Sequence, residues 1–158
     1  MADVSGKPVS RRLALAAGRI LLGEEAFRLV RDKKLPKGDA LSLAEFAGIQ
    51  GAKQTSQLIP LCHPISLGRV SVFSVPRPED YSFEVFCLAE IDERTGVEME
   101  ALCGLSVALL TIWDLSKPIN AALQITDTRL LYKSGGKRGI WVHPDGLNQE
   151  AKDILDGR

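Results

Sequence analysis

The chain has 158 residues, 45% of them hydrophobic and 25% charged, so it can bury a core without disulfides or metal and is too apolar for disorder. Twenty Lys and Arg balance twenty Asp and Glu, which excludes bulk electrostatics as a route to nucleic acid or an anionic membrane but leaves room for a local basic pocket. A near-neutral chain also does not oppose self-association. No apolar run is expected to span a membrane, and Arg11, Arg12 and Arg19 interrupt the N-terminal apolar stretch where a signal-peptide core would lie. Cys62, Cys87 and Cys103 are widely spaced and odd in number, and read as reduced thiols of a cytoplasmic protein. His63 and His143 have no partners at ligand spacing, so no metal site is expected.

In chain order, residues 8–22 read as an apolar strand with interspersed arginines. Glu24 opens a short helix with Ala26, Phe27, Leu29 and Val30 inward, and Pro36 closes it. Asp39 is the N-cap of a second helix that runs to about Gln57, before Pro60. Residues 69–75 and 81–91 form a hairpin across the turn-rich link Pro76–Asp80. In its second arm Tyr81, Phe83, Val85, Cys87, Ala89 and Ile91 alternate onto one face, with Ser82, Glu84 and Glu90 on the other. A long helix starts near Val97, capped by Thr95 or Gly96, with Met99, Leu102, Leu105, Leu109 and Ile112 as its buried stripe. A last strand covers about residues 125–132. Residues 141–158 form a polar tail expected to fray. Helices interspersed with hairpin strands predict a single α+β domain, an antiparallel sheet with helices on one face.

Chemistry concentrates in three places. Pro60 and Pro64 bracket Leu61, Cys62 and His63, holding one imidazole stiffly; the same pattern also suits a structural turn. Asp114 and Lys117 lie three apart, adjacent on one helix face, just after the almost uncharged stretch Leu105–Trp113. Glu100 returns to nearly the same face, fourteen residues earlier at about 100° per residue. Lys133-Ser134-Gly135-Gly136-Lys137 pairs lysines with glycines whose backbone N–H groups can face an anion, although its spacing is not that of a P-loop. With Lys37, Lys53 and Arg12 it suggests a local cationic site. Glu98 and Glu100 open the long helix, where the helix dipole favours acids for structural reasons alone.

These motifs occur together in one order. Asp3-Val4-Ser5, Lys37-Gly38-Asp39, Ala52-Lys53, Leu58 to Pro64, Thr95-Gly96-Val97-Glu98-Met99-Glu100, Asp114 with Lys117, and Lys133 to Lys137 together resemble the MoaC family, from about residue 3 to 140. The resemblance implies a ferredoxin-like fold and a homohexamer, a trimer of dimers with active sites at subunit interfaces. It implies a lyase of molybdenum cofactor biosynthesis that converts 3′,8-cyclo-7,8-dihydro-GTP to cyclic pyranopterin monophosphate and pyrophosphate. It implies no redox cofactor and leaves Mg²⁺ assistance open. Carried over by residue, Lys117, Asp114 and Lys37 would be catalytic. Arg12, Lys53, Cys62, His63, Glu98, Met99, Glu100 and Lys133 would bind substrate. A catalytically silent pterin-binding subunit is the competing reading, and a nucleic-acid module is disfavoured by the zero net charge. Pro118 and Arg138 stand where the family more often has small residues.

Overall fold

The computed structural model describes residues 1–157. Five strands form one antiparallel sheet: β1 (Ser10–Leu21), β2 (Arg69–Arg77), β3 (Ser82–Glu93), β4 (Gln124–Ser134) and β5 (Trp141–Val142), in the order β2-β3-β1-β4-β5. The helices are α1 (Glu24–Arg31), α2 (Ala40–Lys53), the single turn α3 (Thr55–Leu58), α4 (Glu98–Ser116) and α5 (Gln149–Asp156). Without β5 and α5, the β-α-β-β-α-β connection and strand order are those of the ferredoxin-like fold.

The predicted hairpin is present, with Arg77 opposite Ser82. β1 pairs with β3 along its whole length, from Ser10↔Glu93 to Leu21↔Ser82. Its pairing with β4 slips twice, around Ala16 and Gly18. Gly18 is required there: a Cβ would lie 2.9 Å from both Leu109 Cδ1 and Thr128 Oγ1. α4 therefore rests directly on the irregular strand pair.

The main core lies between α1, α2 and α4 and one sheet face. Ala14, Ala16 and Ile20 of β1 and Phe83, Val85, Cys87, Ala89 and Ile91 of β3 meet Ala101, Leu105, Ala108, Leu109 and Ile112 there. Burial at α4 begins at Glu100 and Ala101; Leu102 packs against the core half-buried, whereas Met99, also expected in the stripe, is exposed. The small residues Ala101, Gly104 and Ala108 face inward instead, because α2 crosses close by. A Cβ on Gly48 would come within 3.0 Å of the Gly104 carbonyl oxygen. α4 caps on Val97, without a side-chain cap from Thr95. It also reaches a membrane span in length and hydropathy, at 19 residues and mean 1.4, contrary to expectation, yet 56% of that stretch is buried inside this fold.

Asp39 caps α2 as predicted, accepting from the backbone N–H groups of Leu41 and Ser42 at 3.1 and 3.2 Å. Lys33 beside it, with the N–H and hydroxyl of Ser42, holds the Asp39 carboxyl down at about 2. The helix stops at Lys53, earlier than expected; Gln54 breaks it and Thr55 begins the separate turn α3.

Residues 141–157 are ordered, which corrects the expectation that the tail would fray; Arg158, the last of the expected tail, lies outside the described residues. Ala151 and Leu155 of α5 are buried against Leu13, Leu15, Phe86, Leu88 and Leu131 on the sheet face opposite the main helices. The reason is on β3: Phe86 and Leu88 point away from the main core and need a cover. β1 and β3 are thus buried on both faces, which explains the unbroken apolar run from Leu13 to Ala17.

Candidate functional site

Six of the eleven predicted site residues fall into two clusters at opposite ends of α4, Lys37, Asp114 and Lys117 at one and Arg12, Glu98 and Lys133 at the other; Lys53, Cys62, His63, Met99 and Glu100 line neither. At the C-terminal end of α4 Asp114 sits between two ammonium groups. Lys117 Nζ lies 2.6 Å from Asp114 Oδ1, and Lys37 Nζ lies 3.2 Å from Oδ2. Lys37 also donates to the Asp114 backbone carbonyl at 3.3 Å. Local sequence sets this up. Lys117 is the C-cap of α4, still helical, and its N–H donates to Trp113 O at 2.8 Å, so the three-residue spacing keeps its contact with Asp114. Pro118 follows the cap and leaves that geometry intact. Lys37 arrives from the turn before α2, fixed by the Asp39 cap and the left-handed Gly38. Hydrogen bonds from Lys117 and Lys37 hold the Asp114 carboxyl below its ordinary range, so it stays ionised. All three side chains are about half exposed.

At the N-terminal end a cleft of about 630 Å³ opens between the start of α4, the start of β1 and the loop after β4. Five basic residues line it, Lys7, Arg12, Lys133, Lys137 and Arg138, against one acid, Glu98. Lys133 Nζ pairs with Glu98 Oε1 at 2.8 Å. Arg12 donates to the carbonyls of Glu93 and Arg94 at 3.2 and 3.3 Å, which aims its guanidinium under the glycine loop. Gly135 and Gly136 have positive φ, and a Cβ on either would overlap Arg11 or Arg12. Five cations and a glycine loop around one cavity suit a polyanion.

Glu100 is buried in the first turn of α4, two residues after Glu98, and burial pushes its carboxyl up. Cys62 lies near it; burial and the Glu100 charge both raise the thiol. Cys87, deep in the core, is pushed up to about 12 by burial, as expected of an inert packed thiol. Met99 is exposed on the first turn of α4. Lys53 is exposed in the last turn of α2, at the end of the molecule where α4 begins. His63 Nε2 lies 2.9 Å from the Ala2 carbonyl, so in this chain it fastens the N-terminal segment.

Sequence reasoning did not single out Lys7 and Arg138 as site residues, and it took Lys137 only as part of the glycine motif. Lys7 carried a usable signal, two residues after Asp3-Val4-Ser5. Arg138 carried one too: it directly follows the basic glycine motif, at a position where the family more often has a small residue, and it adds its charge to the cleft. Among the described residues no three His, Cys, Asp or Glu side chains gather where they could hold a metal ion.

The two clusters do not meet within one chain. Glu98 and Asp114 are sixteen positions apart on α4, about 24 Å at 1.5 Å per residue.

Fold and site define an α+β protein with a lysine–aspartate–lysine cluster and a separate cationic cleft. The profile of the MoaC family matches residues 1–136, and the chain belongs to that family. It is 48% identical over 145 residues to a protein of Nocardioides sp. named cyclic pyranopterin monophosphate synthase, covering 91% of this chain and 89% of that one. It is 41% identical to a protein of the same name from Thermomicrobium roseum, over 96% of this chain and 92% of that one. A protein of Arabidopsis thaliana named cyclic pyranopterin monophosphate synthase, mitochondrial, is 49% identical over 89% of this chain, which spans 52% of its length.

Proposed function

We propose that this chain is a cyclic pyranopterin monophosphate synthase, a lyase of molybdenum cofactor biosynthesis acting in the cytoplasm. Its substrate is 3′,8-cyclo-7,8-dihydro-GTP; its products are cyclic pyranopterin monophosphate and pyrophosphate. The observation that carries this reading is the Asp114 carboxylate held between Lys37 and Lys117. Opening the purine-derived ring and closing the pterin needs repeated proton transfers, which two lysines around one fixed carboxylate can supply. Lys117 is the principal acid and base, Asp114 orients it, and Lys37 is the second proton carrier. In the other half-reaction a sugar hydroxyl oxygen attacks the α-phosphorus. Its proton leaves to a base as the bond from phosphorus to the pyrophosphate oxygen breaks. Lys133, Arg12 and Lys53 stabilise the departing charge. His63 joins these cations in positioning the triphosphate, Glu98 and Glu100 hold the base-derived part, and Cys62 and Met99 are further substrate-binding residues.

One substrate cannot touch both clusters in a single chain, which supports active sites shared between copies. The outer faces of α2 and α4 carry exposed Leu43, Phe46 and Leu110 where such a copy can pack. A trimer of dimers is the assembly we propose.

The test is incubation of the purified protein with 3′,8-cyclo-7,8-dihydro-GTP, following pyrophosphate and the fluorescent oxidised pterin. Release of both products is expected, with none from Lys117→Ala. Binding without release would replace this reading with a silent pterin-binding subunit. Co-assembly of Lys117→Ala with Lys133→Ala, each inactive alone, is expected to restore about a quarter of the native activity, since random pairing leaves one intact site in each mixed pair. No recovery would place the whole site in one chain.

A further inference from the structure

The cationic loop from Ser134 to Ile140 holds three glycines with positive φ and has one backbone hydrogen bond of its own, from Gly139 N–H to Gly136 O at 3.2 Å. A segment so rich in glycine loses much conformational freedom when it is fixed. Its shape must come from the contacts that grip its two ends. The upstream grip is β1: Leu13 pairs with Ser134, and the Arg12 guanidinium packs under Gly136. The downstream grip is β5, where Trp141 pairs with Lys133 and Val142 with Tyr132, followed by His143 N–H donating to Leu131 O at 2.9 Å.

A two-residue edge strand does not hold itself in place. The segment C-terminal to β5 supplies the hold. A tight turn, closed by Gly146 N–H to His143 O at 2.8 Å, leads directly into α5. Asn148 caps α5 through the Ala151 N–H at 3.0 Å and donates to Glu84 at 3.1 Å. Arg77, at the end of β2, binds Glu84 of β3 and reaches Glu150 at 2.7 Å. Ala151 and Leu155 are buried on the sheet. Arg77 and Glu84 are largely buried, so this is a desolvated, multiply bonded junction rather than a surface ion pair.

We propose that β5 and α5 together form a clamp that sets the shape of the cationic loop, with Arg77 and Glu150 as positioning residues for the anionic end of the substrate. The clamp lies almost wholly beyond the residues matched by the family profile, and it acts on the cleft from the opposite face of the sheet. The inference rests on the cleft being the polyanion site of the proposed function.

The experiment uses the full chain with Leu155→Asp, which unseats α5, and with Glu150→Gln, which keeps the packing and weakens the Arg77 link. Three quantities are read: backbone hydrogen exchange of residues 133–139, affinity for inorganic tripolyphosphate, and the split between kcat and KM. For Leu155→Asp we expect loop exchange at least about tenfold faster, tripolyphosphate affinity and KM about tenfold worse, and kcat within about twofold of native. Glu150→Gln shifts the same quantities two- to threefold, and Glu150→Asp recovers part of the loss. The clamp is refuted if α5 exchanges freely in Leu155→Asp while the loop and its tripolyphosphate affinity stay native. Should Leu155→Asp not fold, Glu150→Lys decides, since it reverses the charge facing Arg77; native affinity and KM there would equally overturn the proposal. Exchange and tripolyphosphate binding need no turnover. A chain that binds the polyanion but fails to turn over therefore tests the proposed function separately from the clamp.

Discussion

Gly48→Ala is the substitution that most directly links packing to the proposed chemistry. α2 brings Lys37 to Asp114 only because it crosses α4 at very short range. A Cβ on residue 48 would stand 2.9 Å from Val72 Cγ2, 3.0 Å from the Gly104 carbonyl oxygen and 3.2 Å from Ala108 Cβ. Val72 can rotate, but the Gly104 carbonyl belongs to α4 itself and cannot. Ordinary contact lies beyond about 3.5 Å, so α2 must back away from α4 by about 0.5 Å. Overpacking of this kind costs about 1–3 kcal/mol, against which alanine returns about 1 kcal/mol of helix propensity. The net expectation is a loss of about 1 kcal/mol, or about 2–4 °C in Tm for a chain of this size.

The same displacement acts on the site. Lys37 meets Asp114 at 3.2 Å, already near the outer limit of a hydrogen bond, and a further half ångström breaks it. A misplacement of about 1 Å can cost about a hundredfold in rate, so kcat/KM should fall about tenfold. The assay is pyrophosphate release at several substrate concentrations, with thermal melts at one fixed protein concentration because assembly contributes to Tm. Gln50→Ala, on the same helix and exposed in the single chain, should leave both readings near native. If Gly48→Ala melts and turns over like the native chain, the close α2–α4 crossing does not set the Lys37–Asp114 geometry.

Three further outcomes rest on individual groups. Asp114→Asn should lower kcat at least about a hundredfold with little change in Tm, because all three side chains of its cluster are half exposed; comparing steady-state rates with melting curves separates the two effects. Asp39→Ala should cost about 1 kcal/mol as a lost N-cap. Since the Asp39 carboxyl is held at about 2, below its usual 3.8, its stabilisation is present above pH 3.8 and fades as pH falls toward 2, so native and variant denaturation midpoints should converge there. Glu100 has the opposite sign. Burial raises its carboxyl, so the cost of ionising it is absent below the ordinary carboxylate range and grows as pH rises through the shifted value. Glu100→Gln should therefore gain stability over the native chain on going from about pH 4.5 to about pH 8 in urea titrations; equal stability across that range would show that the native carboxyl is not penalised by its surroundings.

Where local chemistry decided the structure, the sequence was sufficient. Asp39 caps α2 because a carboxylate before an apolar helix has free N–H groups to accept from. Asp114 and Lys117 meet because three helical residues bring them together in any surroundings. Tertiary contacts decided the rest. Met99 has the right spacing for the apolar stripe of α4, but the apolar burial there begins only at Ala101, where Ala101, Gly104 and Ala108 let α2 approach. α5 looked like a loose tail because its own composition is polar; its two buried residues, Ala151 and Leu155, make sense only against Phe86 and Leu88, more than sixty positions earlier. Flanking prolines make His63 stiff, which the sequence shows, but its partner is the Ala2 carbonyl, which no spacing rule points to.

The length of α4 carries the most consequential argument about how such a site can work. A lysine serves as both acid and base near neutral pH when its ammonium is taken out of water. In the single chain Lys117 is 54% exposed, and its neighbours are a carboxylate and another half-exposed lysine. Nothing among the described residues removes that water. The cleft that would hold the anionic end of the substrate lies about 24 Å away along the same helix. A second copy, packed on the apolar outer faces of α2 and α4, can answer both needs at once: it can bring a cationic cleft to Lys117 and exclude solvent around it. On this argument Phe46→Asp and Leu110→Asp, neither of them a residue of the proposed chemistry, should abolish turnover by splitting the assembly. Sedimentation and activity should then fall together, and full activity in a separated chain would refute the shared site.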